Sequence, residues 1–572
     1  MQNKKAIIAI VALFLVICVA FAACKKGKTE PIIVTDVHGN PVTDENGEQI
    51  TVIPETRIET VTDEKGEAVT DKDGKEATTV IYIPQDVGIP VTNVKGEAVT
   101  DEGGKVVTTM VVVPSETTTG LVVTVPVTDD KGETVTDESG SVVTETVKPT
   151  LPANTPTNNI IASKALSGSG NDKAIASVAA PDGGFVMAYN SASRDGSFSS
   201  TNSENGSAML CKYNRAGTLE WSDTLSGKAV VGINDLAVAS DGSIVVAGET
   251  RASDFVPMHS TEYDGFIAKY TADGKRVFLK NWGGTSNESF YGIDTASDGS
   301  IYAVGFAYSK DGDCKDLGFP GLSAAVIVKY DSNGNITAQK AFGNMGDYFK
   351  NVKVNSAGEI FVSGLDVSGK SEYFENKGRT DGVLFKLKSD LSVIFAKNWG
   401  GNGNDIFTDM AIAPDGGVII AGHNNSTDGD MASVGNKGTL DAMLIKWTAN
   451  GEVSWVKTFA GSDEERFNSV AVTEQGEIIA AGTSASSTRD FRLVGNLGGS
   501  DGFVVRFGSD GSVISAQGFG GSSRDEFNTV CVLTGGQIVA GGATLSTDGY
   551  MAGLSPKPTN EKTAAMFFCF RL

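Results

Sequence analysis

Phe407-Thr408-Asp409-Met410-Ala411-Ile412, a turn at Asp415-Gly416, and then Val418-Ile419-Ile420-Ala421-Gly422 form the phrase on which the fold of this chain is read. Two short apolar runs flank a turn in which an Asp side chain caps the backbone and Gly accepts positive φ. Asp441-Ala442-Met443-Leu444-Ile445-Lys446-Trp447 and Val453-Ser454-Trp455-Val456-Lys457-Thr458-Phe459 add two more such runs, with no amphipathic helix between them. The same four segments recur around Asp182-Gly183, Asp241-Gly242, Asp298-Gly299, Ala357-Gly358, Gln475-Gly476 and Gly535-Gly536. Successive turn glycines stand 59, 57, 59, 58, 60 and 60 residues apart. Four short strands per repeat predict an all-β fold, a seven-bladed β-propeller of four-stranded blades over residues 160–572.

The seventh copy supplies strand A at Phe527-Asn528-Thr529-Val530, strand B at Ile538-Val539-Ala540-Gly541 and strand C at Ala565-Met566-Phe567-Phe568, but no strand D follows. The segment 164–172 lines up with 397–405, the end of a strand D. An N-terminal strand is therefore expected to complete the last blade, which closes the ring and removes both exposed edges. Phrases such as Ser297-Asp298-Gly299-Ser300-Ile301-Tyr302 and Trp282-Gly283-Gly284-Thr285 resemble the bacterial β-propeller repeat proteins of the SBBP type, which are secreted or lipid-anchored. The resemblance covers 160–572 and implies a fold and an address outside the cytoplasm, without implying a reaction.

Ahead of the repeats, Lys4 and Lys5 precede an apolar run of 18 residues that ends at Phe21-Ala22-Ala23-Cys24, followed by Lys25-Lys26. This pattern reads as a secretion signal, and its end resembles the lipobox of bacterial lipoproteins. Residues 1–23 are expected to be a lipoprotein signal peptide, Cys24 the lipidated residue and 24–33 a tether. An uncleaved spanning helix is the other reading of the run. Diacylation at about 0.8 kcal/mol per buried CH₂ holds a protein stably at a membrane. The expected location is thus the cell membrane, lipid-anchored on the extracellular face, or the outer membrane of a two-membrane source.

Residues 34–149 repeat the phrase Val-Thr-Asp-x-x-Gly, beginning at Val34-Thr35-Asp36-Val37-His38-Gly39 and Val42-Thr43-Asp44-Glu45-Asn46-Gly47. It restarts at Val61, Val91 and Val127, and the blocks close at Pro54, Pro84, Pro114 and Pro149. Two organisations fit this stalk: small β units in a row, or an extended spacer, which is the expectation because aromatic core residues are almost absent. Asp71-Lys72-Asp73-Gly74 begins like a calcium loop, but the later oxygen ligands are out of register. Residues 150–159 read as a linker.

With 69 Gly and a net charge of −23, the chain is turn-rich and acidic, and its field repels nucleic acid. Cys18, Cys24, Cys211, Cys314, Cys531 and Cys569 form no CxxC pair, and His38, His259 and His423 are scattered. No metal, cofactor or catalytic residue is predicted, and the propeller cysteines are expected to be free and buried.

Length variation falls between strands B and C, at 249–263, 306–323, 423–440 and 543–562. Those loops share a face with the D–A connections, the default ligand surface. Phrases in them such as Ser426-Thr427-Asp428-Gly429-Asp430 and Ser546-Thr547-Asp548-Gly549-Tyr550 read as Asp-Gly turns. An acid series, Asp172, Glu288, Asp347, Asp405, Glu465 and Asp525, precedes strand A by two residues, with Val231 interrupting it. It is expected to form a circle near the axis and to bond the N–H groups of the neighbouring Gly turns. Asp331-Ser332-Asn333-Gly334 and Asn450-Gly451-Glu452-Val453-Ser454-Trp455 are similar to the sialidase Asp-box and to the tryptophan-docking phrase of quinoproteins. The Asp-box spacing is incomplete and the aromatic gives way at Thr337 and Ser515. The expected function is a binding or adhesion module, monomeric and membrane-anchored, for an extracellular glycan or protein. The alternatives are a propeller enzyme (glycan hydrolase or lyase, or quinoprotein-like) and a purely structural surface protein.

Overall fold

The computed structural model describes residues 160–572 except 202–205, 344–345, 368–371, 435, 493 and 559–560. Before residue 160 it describes the backbone of four antiparallel pairs. Ile32–Ile33 pairs with Thr51–Val52, Thr56–Thr60 with Thr78–Tyr82, Ile89–Pro90 with Thr108–Thr109, and Val123–Pro126 with Thr144–Val147. The leader, Cys24, the tether up to residue 31, the linker and the choice between the two stalk organisations lie outside the described residues.

Residues 160–572 form seven four-stranded antiparallel sheets with strands in the order A–B–C–D. In blade 5 these are Asp405–Ile412, Val418–Asn424, Asp441–Trp447 and Val453–Phe459. All seven predicted turn glycines lie at φ between 75° and 86°, the conformation that only glycine adopts freely. Strands B and C read as unbroken apolar runs because stacked blades cover both faces; Ile419, Ile420, Leu444 and Ile445 are all buried. In blade 7, Asp525–Leu533, Gln537–Thr544 and Ala564–Phe570 are completed by Ile160–Leu166. Ala165 lies opposite Met566 and Ser163 opposite Phe568, so the ring closes as the repeat arithmetic requires. The four described cysteines are free and buried.

Neighbouring blades are clasped at the outer strand. The third residue of strand D docks under the C–D turn of the next blade: Trp221 under Gly274, Phe278 under Gly334, Phe395 under Gly451, Trp455 under Gly511. Trp221 and Trp455 donate their indole N–H to Ala272 O at 3.0 Å and Ser509 O at 3.3 Å, both in those turns. In blade 3 the register puts Ala338, not Thr337, at this position. The next turn there carries Leu391, at φ 66°, and both residues belong to one core cluster, the larger turn residue filling the space the ring leaves.

Candidate functional site

The acid series begins strand A itself, as its first residue in blades 1, 3, 5, 6 and 7. In those blades the acid is fully buried and accepts the N–H of a glycine four residues earlier: Gly168 to Asp172, Gly284 to Glu288, Gly401 to Asp405, Gly461 to Glu465, Gly521 to Asp525. A B–C loop serine adds a second bond, from Ser193, Ser426, Ser486 and Ser546 Oγ and from the Ser309 N–H. Burial raises the pKa of all five, against the pull of these bonds. The predicted bonding is present; the acids stand at the start of the innermost strand of each blade, but none of them lines the central cavity. Their carboxylates are spent on joining the D–A connection to strand A.

The B–C loops lie on the face of the D–A connections, as expected. Asp428 Oδ1 accepts the N–H of Asn402, Asp430 Oδ2 that of Gly400, and Asp548 Oδ1 that of Ser522, while Tyr550 packs on Phe519 with centroids 5.2 Å apart. Asp264, Asp381, Asp441 and Asp501, which open strand C, form a second buried row. Asp264 and Glu288 crowd Gly283, where a methyl group would stand 2.6 Å from Asp264 Oδ1 and 2.9 Å from Glu288 Oε2. Among the described residues no group of three or more His, Cys, Asp or Glu side chains is placed to hold a metal ion.

The axis is lined instead by a β-bulge in every strand A. Ile175, Asn234, Tyr291, Lys350, Thr408, Asn468 and Asn528 are left out of the ladder and face a central cavity of about 380 Å³. Four of them staple the blades: Asn234 donates to Phe290 O at 2.9 Å, Thr408 to Phe467 O at 2.7 Å, Asn468 to Phe527 O at 2.7 Å, and Asn528 to Ala174 O at 3.2 Å. Carboxylates reinforce the belt, since Asp235 accepts from Ile293 N, Asp294 from Val354 N and Asp409 from Val470 N. Burial pushes Asp235 up to about 6 and raises Asp294 and Asp409. Burial would lower Lys353, but Asp235, Asp294 and Asp409 together outweigh it and raise its pKa.

Ile175, Tyr291 and Lys350 depart from the stapling pattern, the last two in adjacent blades. Around them the mouth of the channel is aromatic. Tyr291 stands 5.6 Å, centroid to centroid, from both Phe306 and Tyr348, and Phe306 stands 5.5 Å from Tyr308. Tyr308 is 45% exposed, Leu322 68% and Val367 46%, which puts three exposed large apolar side chains in the B–C loops of blades 3 and 4. The cationic side follows in blades 4 to 6. Burial, then the charges of Arg466 and Lys350, push His423 down to about 3, so its ring is neutral at physiological pH. Such a surface stacks against a ring-bearing or apolar ligand and offers it one side of positive charge.

The loop face was legible in the sequence; the residues at its centre were not singled out. The signal was present, because each bulge residue lies eight positions before its turn glycine, and Ile175, Tyr291 and Lys350 interrupt a column of Asn and Thr.

No family model matches the chain. The regulatory protein FlaEY of Caulobacter vibrioides is 22% identical over 307 residues, covering 49% of this chain and 32% of that protein. The chain thus spans about a third of the length of that relative. Among solved structures, a chain of the mitotic checkpoint complex matches at TM-score 0.41 and 9% identity, over 74% of this chain and 97% of its own. The Neurospora crassa Pan2 WD40 domain matches at 0.36 and 9%, over 70% and 97%, and the Xanthomonas campestris gluconolactonase XC5397 at 0.31 and 10%, over 64% and 90%. These likenesses concern the fold, which rests on the strand pairing itself: a closed ring of seven four-stranded blades.

Proposed function

We propose that this is a surface lipoprotein, anchored through Cys24, whose propeller binds an extracellular polymer or protein at the aromatic mouth of its channel. The observation that carries the reading is the ring cluster Tyr291, Phe306, Tyr308 and Tyr348, which interrupts the blade-stapling pattern and reaches an exposed face. The leader and its cysteine support export and anchoring, and the similarity to SBBP-type proteins is consistent with that address. A hydrolase or lyase acting at the same mouth is the second reading, favoured by Asp235, a carboxyl near pKa 6 in the cavity. It ranks second because that carboxylate already accepts the N–H of Ile293.

The test is an array of glycans and surface proteins probed with the full chain and with Tyr308→Ala. A ligand whose binding falls about tenfold in the variant, the loss of roughly 1.4 kcal/mol of contact, supports the reading. Ligands bound equally by both forms place the site elsewhere. For the anchor, metabolic labelling with a fatty acid should be lost in Cys24→Ala; label retained in that variant overturns it.

A further inference from the structure

Lys350 is the bulge residue of blade 4, facing the cavity, and among the described residues no hydrogen bond or ion pair engages it. An ammonium half-withdrawn from water without a partner is costly, and protein interiors seldom keep one without a use. Its neighbour Lys353 is compensated by three aspartates, whereas only the charge of Asp409 acts on Lys350, whose pKa burial lowers. Next to it, His423 carries a buried Nδ1 with no partner, and Arg466 bonds Glu464 at 3.0 Å. The aromatic wall of Tyr348 and Tyr291 adjoins this cationic side, and Glu249 of blade 2 bears on Tyr291 from the other. An unpaired cation that shares the channel lining with Tyr291, in a chain of net charge −23, selects a ligand that is locally anionic but not densely charged.

Resting on the binding reading above, we infer that the mouth takes a uronic-acid unit of an extracellular polysaccharide, its ring against Tyr348 and Tyr308 and its carboxylate on Lys350. The sugar's C–H face meets the aromatic rings while the charge-assisted bond to Lys350 replaces the partner the fold does not supply. A single carboxylate matches a single ammonium that has no bonded partner, whereas a polysulfated chain would meet the acidic field of the whole molecule.

Calorimetric titration of the full chain with galacturonic and glucuronic oligosaccharides, with their carboxyl-reduced counterparts and with a sulfated oligosaccharide tests this. The acidic sugars should bind at least about tenfold more tightly than the reduced ones, a difference near 1.4 kcal/mol. Lys350→Gln should abolish that difference without weakening the reduced sugars, Lys350→Arg should keep it, and Tyr308→Ala should weaken both. Thermal unfolding of each variant checks that the ring is intact. Equal binding of acidic and reduced sugars, preference for the sulfated one, or a difference that survives Lys350→Gln overturns the uronate assignment. If neither sugar binds while an array ligand is still lost in Tyr308→Ala, the uronate assignment falls and the binding reading stands; if no array ligand responds to that variant, both fall.

Discussion

Asp501 has one carboxylate oxygen satisfied and one not: Oδ2 accepts the N–H of Leu497 at 2.6 Å, while Oδ1 is buried without a partner. Burial, followed by the charges of Asp525 and Asp548, raises this carboxyl to about 7, and burial lifts Asp381 and Asp235 to about 6. The folded chain therefore holds these protons more tightly than the unfolded chain, where a carboxyl titrates near 3.9. Stability derived from them is present at low pH and is lost as pH rises through about 6 to 7. The melting temperature should rise on going from pH 8 to pH 5, and Asp501→Asn should increase the unfolding free energy at pH 8 by about 1–2 kcal/mol while flattening the slope. A melting temperature independent of pH over that range would mean these groups ionise unhindered. Lys353→Met acts in the opposite direction at neutral pH, leaving three aspartates uncompensated at a cost of about 3–5 kcal/mol. Urea titrations should show that loss shrinking at pH 5 as the carboxyls take up protons, and a loss equal at both pH values would deny the charge cluster. At this scale the acid series could be read from spacing together with its bonding role. Its place could not, because which side of strand A an acid faces depends on where the strand begins, and the bulge shifts that by one residue.

The clasp between strand D and the next blade's turn couples two residues that are distant in sequence, which is why Trp455 could be seen to recur while its partner Gly511 could not. A Cβ at Gly511 would lie 2.9 Å from Lys457 Cγ and 3.2 Å from Trp455 Cε3, and the residue sits at φ 77°. Gly511→Ala should thus cost about 1–3 kcal/mol through backbone and contact together. Trp455→Ala removes a half-buried ring and its bond to Ser509 O, for about 2–3 kcal/mol. Because the methyl group of the first variant occupies space the second vacates, the double variant should fall short of the sum by about 1 kcal/mol. Denaturant titration of the four forms measures this; strict additivity would show that ring and turn do not share the contact. The Ala338–Leu391 pairing, where a small residue replaces the ring and a large one the glycine, shows the same complementarity already present in the native ring.

Across the whole ring, one junction depends on residues from opposite ends of the propeller. Ile160–Leu166 closes blade 7 against Ala564–Phe570, and strand A of that blade is tied to blade 1 by Asn528 to Ala174 O and by Ser177 to Thr529 at 2.8 Å. This closure was legible because a missing strand D and a spare one are visible as counts, independent of side-chain detail. Every residue of Ala564–Phe570 is buried. Deleting Ile160–Leu166 should therefore leave a free edge carrying the sequence Ala-Ala-Met-Phe-Phe-Cys-Phe, apolar and β-prone, which invites pairing between chains. The remaining clasps and axial bonds hold six blades as before, so the expected outcome is a protein that folds, melts lower and aggregates, with light scattering rising on warming. Deleting residues 31–148 removes no strand of the ring and should leave its melting temperature unchanged. A peptide spanning Ile160–Leu166, added in trans to the first variant, should re-form the edge pairing and suppress scattering. Equal stability and equal monodispersity of the two deletions would mean that blade 7 stands without its N-terminal strand, and the account of closure given by the repeat count would have to be abandoned.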